Sequence, residues 1–209
     1  MRLVLASNNA KKLAELQGLF SPLAIELVCQ SDLGISEAEE PYATFIENAL
    51  AKARHAARAA GAAAMADDSG LCVDALDGMP GVASAHFATV NLPDTGREMQ
   101  RAAQDGANNR LLLERLHGAA DRRARFVATL VALRSHDDPE PLVAVGRWHG
   151  QVLHAPQGSG GFGYDPLLFI PELGSSVAEL PAGIKAAHSH RAGAARQMIG
   201  LMREAWGLD

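Results

Sequence analysis

The sequence has few of the features by which several protein classes are recognised. Its 209 residues include two cysteines, Cys29 and Cys72, both in apolar surroundings and without CxxC or Cys/His spacing, which argues against a disulfide framework or a zinc site. No stretch approaches the roughly 18 apolar residues of a membrane span, and the apolar segment before Asn8 is too short for a signal peptide. We therefore expect a cytoplasmic protein without a membrane partner.

Positive charge is also scarce. Lys and Arg number 19 against 24 Asp and Glu, a formal net charge of -5, so we expect no nucleic-acid partner. The cations include four lysines, Lys11, Lys12, Lys52 and Lys185, and the rest are arginines. These lysines are candidates for positions that need a compact ammonium group, although a compositional bias that happens to leave four lysines is the alternative interpretation.

The remaining composition, 48% hydrophobic and 21% charged, is that of an ordinary globular protein. Apolar patterns predict strands at 3–6, 25–29, 125–134, 142–153 and 167–170, and a pair of strands around a tight acidic turn within 65–76. They predict helices after Asn9, from Thr44 to about Ala60, at 97–116 and at 191–206. We expect an α/β fold with a mixed sheet, in a single two-lobed domain over 1–209.

Two acidic segments are candidates for a metal site. Asp67 and Asp68 are adjacent in an apolar context, and Glu39 and Glu40 lie in the acidic loop 36–41. Oxygen ligands of this kind suit Mg²⁺, which binds one or two carboxylates and keeps its waters and substrate phosphates. A solvated turn is the alternative interpretation of each segment.

Three cationic or polar segments suit phosphate. The turn 7–9 offers hydroxyl, amide and backbone donors at a helix start, with Lys12 one turn further on, although an ordinary helix cap has the same pattern. Lys52 follows the predicted Thr44–Glu47 capping box and could point back towards the acidic loop. Lys185 precedes a second cationic cluster, His188 to Arg191.

The glycine-rich stretch 158–163 matches G-x-G-x-x-G, but a strand-like run follows it where a dinucleotide-binding fingerprint requires a helix. We interpret it as backbone that can approach a flat ligand, with Phe162 and Tyr164 as stacking faces. The sequence has no P-loop and no nucleophile elbow. Metal-binding carboxylates, phosphate-binding lysines and this loop together indicate a nucleotide-phosphate hydrolase.

Five segments occur in the order and spacing of one family, which the whole chain resembles: the inosine/xanthosine triphosphatases, pyrophosphatases of non-standard purine nucleoside triphosphates. The segments are Ser7-Asn8-Asn9-Ala10-Lys11-Lys12, Glu39-Glu40 with Thr44-Phe45-Ile46-Glu47-Asn48-Ala49 and Lys52-Ala53, Ala66-Asp67-Asp68-Ser69-Gly70-Leu71, Gly160-Gly161-Phe162-Gly163-Tyr164-Asp165-Pro166, and Ser189-His190-Arg191. The resemblance implies two lobes with a long mixed sheet, a cleft between them, and a homodimer. It also implies Mg²⁺-dependent hydrolysis of ITP, dITP and XTP to the monophosphate and pyrophosphate, which keeps deaminated purines out of DNA and RNA.

The resemblance further implies a role for each matching residue. The phosphates would be held by Ser7, Asn8, Asn9, Ala10, Lys11 and Lys12, with Lys52 assisting near the metal. Glu40 and Asp68 would bind Mg²⁺, and Asp68 would be the general base. The substrate would also contact Ser69, Phe162 (stacked on the purine), Gly163, Tyr164, Asp165, Lys185, His190 and Arg191, the last four at the base or its oxo groups. The role of Asp67 stays open.

Two positions depart from the family pattern. Asn8 stands where the family has glycine, and because Asn tolerates the left-handed region we expect the turn to be kept. His86 stands where the family has arginine, and its role stays open.

A pyrophosphatase of the related Maf-like class is the nearest rival, against which the Ser-His-Arg cluster and the Phe162 loop argue. A catalytically silent nucleotide-binding module is the other, and it would not need Asp67 and Asp68.

Overall fold

The computed structural model describes residues 1–90 and 96–208, which form seven strands and five α-helices joined by short 3-10 helices. The strands are β1 (Arg2–Leu5), β2 (Glu26–Cys29), β3 (Ala64–Val73), β4 (Arg123–Leu133), β5 (Leu142–Val152), β6 (Leu168–Ile170) and β7 (Ser175–Ser176). The α-helices are α1 (Ala10–Phe20), α2 (Phe45–Ala60), α3 (Arg97–Arg115), α4 (Ala182–His188) and α5 (His190–Trp206). None of the helices in these described ranges is long and apolar enough to cross a membrane.

The strands form one mixed sheet in the order β2-β1-β3-β4-β5-β6-β7. β1 runs parallel to both β2 and β3, whereas β6 is antiparallel to β5 and to β7. The early strands alternate with helices, which supply the crossovers that parallel pairs need. The α/β fold with a mixed sheet that the sequence predicts is therefore confirmed.

The chain divides into two compact units, each with its own core. The first comprises Met1–Asp68, Ala128–Arg147 and His188–Asp209, and the second comprises Ser69–Val127 and Trp148–Ala187. In the first unit α1 and α5 share one apolar cluster with β1, while α2 belongs to another cluster. The core of the second unit includes Leu112, Phe126 and Trp148. Both cysteines are buried.

α2 begins and ends where the sequence predicts. Thr44 caps it by accepting a hydrogen bond from the Glu47 amide, and Gly61, with φ of 59°, closes it by donating to the Ala57 carbonyl. The Glu47 carboxylate accepts from the Thr44 hydroxyl, where the predicted capping box would place the Thr44 amide. Small alanines make up the buried face of the helix, so its backbone packs close to the sheet.

β3 corrects one prediction. The sequence predicts two strands around an acidic turn, but residues Ala64–Val73 form a single strand of 10 residues with Asp67 and Asp68 in its interior. Adjacent buried carboxylates are tolerated there because cations from three helices neutralise them. Two shorter elements, α4 and β7, were not predicted, and Lys185 lies on α4 rather than in the approach to the last helix.

The predicted hairpin at 125–134 and 142–153 is confirmed as β4 and β5, which are neighbours in the sheet. Asp138 holds the turn between them, since its carboxylate accepts from the backbone amides of Arg134 at 2.9 Å and Glu140 at 3.0 Å. The Arg134 guanidinium also donates to it, at 3.2 Å. Asp138 is buried, and these hydrogen bonds to its carboxylate hold the residues of the turn together.

Candidate active site

The two adjacent carboxylates of β3 face opposite sides of the sheet. Successive side chains of a strand alternate between its faces. Asp67 therefore meets cations of α1 and α5, whereas Asp68 meets a lysine of α2. The same alternation divides the apolar neighbours, with Met65 in the α1–α5 cluster and Ala66 in the α2 cluster.

On the α2 face, Lys52 brings two carboxylates together. Its Nζ lies 2.7 Å from Asp68 Oδ1 and 3.1 Å from Glu40 Oε2. It also donates to the backbone carbonyl of Asp67 at 3.2 Å. Lys52 thus points back to the acidic loop as the sequence predicts. The second oxygen of Asp68, Oδ2, is buried and has no hydrogen-bond partner among the described residues.

The environment of Asp68 increases the affinity of its carboxylate for a proton. Burial raises the pKa of Asp68 to about 6, against the opposing effect of Lys52 and with a further contribution from Glu40. Burial would lower the pKa of Lys52, but Asp68 and Glu40 outweigh it and raise that pKa. The pair therefore consists of an ammonium group beside a carboxylate that can accept a proton.

On the opposite face, Asp67 ties two helices to β3. Its Oδ2 accepts from Arg191 Nε at 2.9 Å and lies 3.3 Å from Lys12 Nζ. Burial opposes ionisation of Asp67, but Arg191 and then Lys12 outweigh it and hold its pKa well below the usual range. Arg191 also donates to Glu15 at 2.6 Å, a contact that no sequence motif indicated. Asp67, whose role the sequence leaves open, is therefore an anion that joins α1, β3 and α5.

The turn after β1 is a capped helix start. Asn9 Oδ1 accepts from the amides of Lys11 at 3.0 Å and Lys12 at 3.3 Å, and Ser7 Oγ accepts from the Asn9 amide at 3.2 Å. Asn8 does not use the left-handed region, because Asp77 is the one non-glycine with positive φ among the described residues. The side-chain bonds of its two neighbours close the turn, so the turn does not depend on a left-handed Asn8. Phosphate binding by 7–12 stays a prediction.

In the second unit, three of the residues predicted at the base come together. Asp165 Oδ2 accepts from the Phe162 amide at 3.0 Å and from Lys185 Nζ at 2.8 Å. The same ammonium lies 4.7 Å from the centre of the Phe162 ring, a cation–π distance. Asp165 is buried and Phe162 is half-buried, so Asp165 and Lys185 hold the backbone and the ring of Phe162 in place.

The residues after Phe162 anchor the loop. Gly163, with φ of 62°, donates its amide to Asp105 at 2.8 Å, and its carbonyl accepts from Asn109 at 3.1 Å. The Tyr164 hydroxyl donates to the Ser84 carbonyl at 3.0 Å. Its ring belongs to the core and is 4% exposed, so the expectation of a second stacking face is wrong. Burial and then the charge of Asp105 raise the pKa of Tyr164.

His190, Ser69 and His86 complete the residues that the sequence singles out. His190 is the first residue of α5 and is buried, and Ser189 caps this helix by accepting from the Ala192 amide. Ser69 is half-buried in β3, and His86 is exposed at the end of the 3-10 helix Gly81–His86. The predicted residues of the first unit are thus 7–12, Glu40, Lys52, Asp68, His190 and Arg191, and those of the second are Ser69, 162–165 and Lys185.

The convergence of Glu40 and Asp68 fits Mg²⁺. No group of three or more His, Cys, Asp or Glu side chains within 1–90 and 96–208 is arranged to hold a metal. Mg²⁺ characteristically takes one or two carboxylates and fills its remaining positions with water and substrate phosphates. Two carboxylates on one ammonium, with the buried Oδ2 of Asp68 still available, are such a donor set.

The fold is that of an α/β protein, and its side chains include two carboxylates that meet at Lys52 and an aromatic residue on a glycine-rich loop. The chain belongs to the Ham1 family, whose model matches residues 3–201. A protein of Methylibium petroleiphilum named dITP/XTP pyrophosphatase is 70% identical over 206 residues, which cover 99% of both chains. One of the same name from Leptothrix cholodnii is 66% identical and covers 100% of both.

Solved structures agree with this assignment. A HAM1 protein from Coxiella burnetii has a TM-score of 0.86 at 39% sequence identity, covering 98% of this chain and 100% of its own. The family resemblance that the five motifs indicate is therefore confirmed over nearly the whole chain.

Proposed function

We propose that this protein hydrolyses the deaminated purine nucleoside triphosphates ITP, dITP and XTP to the monophosphate and pyrophosphate, with Mg²⁺ as cofactor. Its relatives at up to 70% identity carry the name dITP/XTP pyrophosphatase. The observation that carries the proposal is the arrangement of Glu40, Lys52 and Asp68 on one face of β3. Such hydrolysis removes from the nucleotide pool the purines that would otherwise enter DNA and RNA.

Glu40 and Asp68 would hold the metal ion. Bound Mg²⁺ would neutralise charge on the phosphates and on the departing pyrophosphate. Lys52 holds the two carboxylates on one Nζ, so their oxygens are kept near each other before substrate arrives. This preorganisation limits the rearrangement that binding requires.

Asp68 is the general base of the proposed reaction. It takes a proton from water, whose oxygen forms a bond to the α-phosphorus. The bond from that phosphorus to the oxygen bridging to the β-phosphorus breaks, and pyrophosphate leaves with the electron pair. A carboxylate with its pKa raised to about 6 accepts a proton more readily than an ordinary one and is still ionised at neutral pH.

The phosphates would be bound by the segment 7–12 and by Lys52. The α1 N-terminus carries partial positive charge, which favours an anion there. Lys12 is tied to Asp67, and burial lowers its pKa. A compact ammonium of this kind suits a phosphate oxygen.

The base would stack on Phe162, with Asp165, Lys185, His190 and Arg191 as its polar contacts. Donors that face a 6-oxo group would be left unpaired by the amino group of adenine. A site built to hydrogen-bond one group rejects the analogue that lacks it by large factors. We therefore expect ITP and XTP to be hydrolysed much faster than ATP.

Incubation of the purified protein with ITP, XTP, GTP or ATP and Mg²⁺ tests the proposal, with pyrophosphate and orthophosphate measured separately. We expect pyrophosphate from ITP and XTP, and little turnover of ATP. Orthophosphate as the product, or equal rates on ATP and ITP, would contradict it. Omitting Mg²⁺ in the presence of EDTA should abolish turnover, and full activity without a divalent cation would remove the metal from the proposal.

Two further parts of the proposal are a homodimer, which the family resemblance implies, and a cytoplasmic location, which the sequence composition favours. Light scattering coupled to size-exclusion chromatography tests the first, for which a mass near twice 22.0 kDa is expected. Fractionation of the producing cells tests the second.

A further inference from the structure

α3 carries a polar face that none of the sequence motifs includes. Residues four apart on a helix lie on the same side of it, and Asp105 and Asn109 have this spacing. Asp105 Oδ2 accepts from the Gly163 amide at 2.8 Å, and Asn109 Nδ2 donates to the Gly163 carbonyl at 3.1 Å. Both polar groups of one loop residue are thus held by one helix. We call Asp105 and Asn109 the Gly163 clamp.

The clamp acts on the residue next to the aromatic ring. Gly163 has φ of 62°, a conformation that other residues rarely adopt, and glycines at 158, 160 and 161 precede it. Such a segment is free to move unless its backbone groups are held. The backbone amide of Phe162 itself donates to the Asp165 carboxylate. Side chains therefore restrain the backbone both at Phe162 and directly after it.

α3 is itself anchored in the core of the second unit. Asn108 Nδ2 donates to the carbonyls of Ser84 and Ala85, both at 3.1 Å, and Asn108 is 2% exposed. The Tyr164 hydroxyl bonds to the same Ser84 carbonyl. The clamp therefore connects the loop to a buried hydrogen-bond network.

The bond to Gly163 sets the orientation of the Asn109 side-chain amide. Because Nδ2 donates to Gly163, Oδ1 must point the other way, where it is buried and has no hydrogen-bond partner among the described residues. A buried acceptor without a partner is destabilising. The Asn109 side chain thus holds the Gly163 carbonyl while its own second polar atom stays without a partner among the described residues.

We infer that Asp105 and Asn109 are positioning residues that hold the loop 158–165 in the conformation that receives the purine base, an assignment that rests on the proposed function. The proposal gives neither residue a role at the phosphates or the metal. They act through Gly163 on the placement of Phe162. Loss of the clamp should therefore weaken substrate binding and leave the chemical step unchanged.

Four variants of the full-length protein test the assignment. Asp105→Ala removes the acceptor, whereas Asp105→Asn keeps an oxygen that can still accept the Gly163 amide. Asn109→Asp keeps the shape and removes the donor. Arg110→Gln, on the exposed side of the same helix, is the matched control. Steady-state kinetics with ITP and Mg²⁺ and a thermal melt are measured for each.

We expect Asp105→Ala and Asn109→Asp each to raise KM for ITP about tenfold, the effect of one lost hydrogen bond, with kcat within about twofold. Asp105→Asn and the control should stay within about threefold of wild type in KM. An unchanged KM, a loss confined to kcat, or equal damage from Asp105→Asn and Asp105→Ala would overturn the assignment.

Limited digestion with chymotrypsin provides a readout that needs no substrate. Cleavage after Phe162, identified by mass spectrometry, should be about tenfold faster in Asn109→Asp than in wild type, because cleavage follows the population of the opened loop. Unchanged cleavage would overturn the clamp, whether or not ITP is hydrolysed. Absence of ITP hydrolysis by wild type, with faster cleavage in the variant, would instead refute the proposed function.

Discussion

Gly146 is the point where the first turn of α5 touches β5, and its replacement by alanine is a sharp test of the packing. A Cβ at this position would lie 1.9 Å from the His190 carbonyl oxygen and 2.5 Å from the Ala194 amide nitrogen. Both neighbours are backbone atoms, which do not yield by changing rotamer. α5 or β5 must therefore move by about 1 Å, within a core of near-crystalline density.

The expected cost follows from that clash. Overpacking of a core typically costs about 1–3 kcal/mol, and because backbone atoms of α5 obstruct this Cβ we expect about 3 kcal/mol for Gly146→Ala. For a chain of this length the melting temperature should fall by roughly 10 °C. Displacement of α5 would also loosen the bond from Arg191 to Asp67. Turnover of ITP should therefore fall together with stability.

Gly200→Ala is the matched control, because Gly200 lies on the same helix and a Cβ there meets nothing within 4 Å. Alanine is favoured over glycine in an exposed helix interior by about 0.5–1 kcal/mol, so this variant should melt slightly higher than wild type. Thermal unfolding followed by circular dichroism measures both variants. A Gly146→Ala protein that melts within about 2 °C of wild type would refute the reasoning.

Three further predictions concern single side chains. Asp68→Asn should keep the fold and lower kcat by about 10²–10⁴-fold at saturating Mg²⁺, and near-normal pyrophosphate release would remove Asp68 as the base. Lys52→Arg should lower kcat by about tenfold because a guanidinium cannot take the ammonium's place between two carboxylates, whereas the exposed Arg58→Lys should not; equal rates would contradict this. Burial opposes ionisation of Asp138, but hydrogen bonds from Arg134 and Glu140 outweigh it and lower the pKa of this carboxyl. The ionised carboxylate therefore stabilises the fold above about pH 4, and this stabilisation is lost as the pH falls. Asp138→Asn should thus cost about 1 kcal/mol in urea unfolding at neutral pH and progressively less as the pH falls below about 4; a difference independent of pH would refute it.

Local signals explain the parts of the fold that could be predicted from the sequence. α2 is bounded by Thr44 and Gly61, whose conformations are set by the residues beside them. The β4–β5 hairpin is likewise marked by alternating apolar residues and a polar turn. Such elements depend on neighbours in sequence, so one amino-acid sequence is enough to predict them.

β3 could not be predicted in the same way. Asp67 and Asp68 have the sequence of a turn, and they remain in a strand because Arg191 and Lys52 neutralise them. These partners are distant in the chain, and no local pattern announces them. The clamp residue Asn109 escaped notice for the same reason, since its partner Gly163 is 54 residues away.

The spacing of the Asp67 contacts has a consequence for the order of events during synthesis. Arg191 stands 124 residues after Asp67 and 176 after Glu15, so both carboxylates leave the ribosome long before their guanidinium is made. A domain that translation extends from its N-terminus can bury Asp67 stably only when α5 has emerged. Folding of the first unit is therefore completed by its last helix. A nascent chain that ends before α5 contains the segment 7–12 and Asp67 but lacks the guanidinium that binds Asp67 and Glu15.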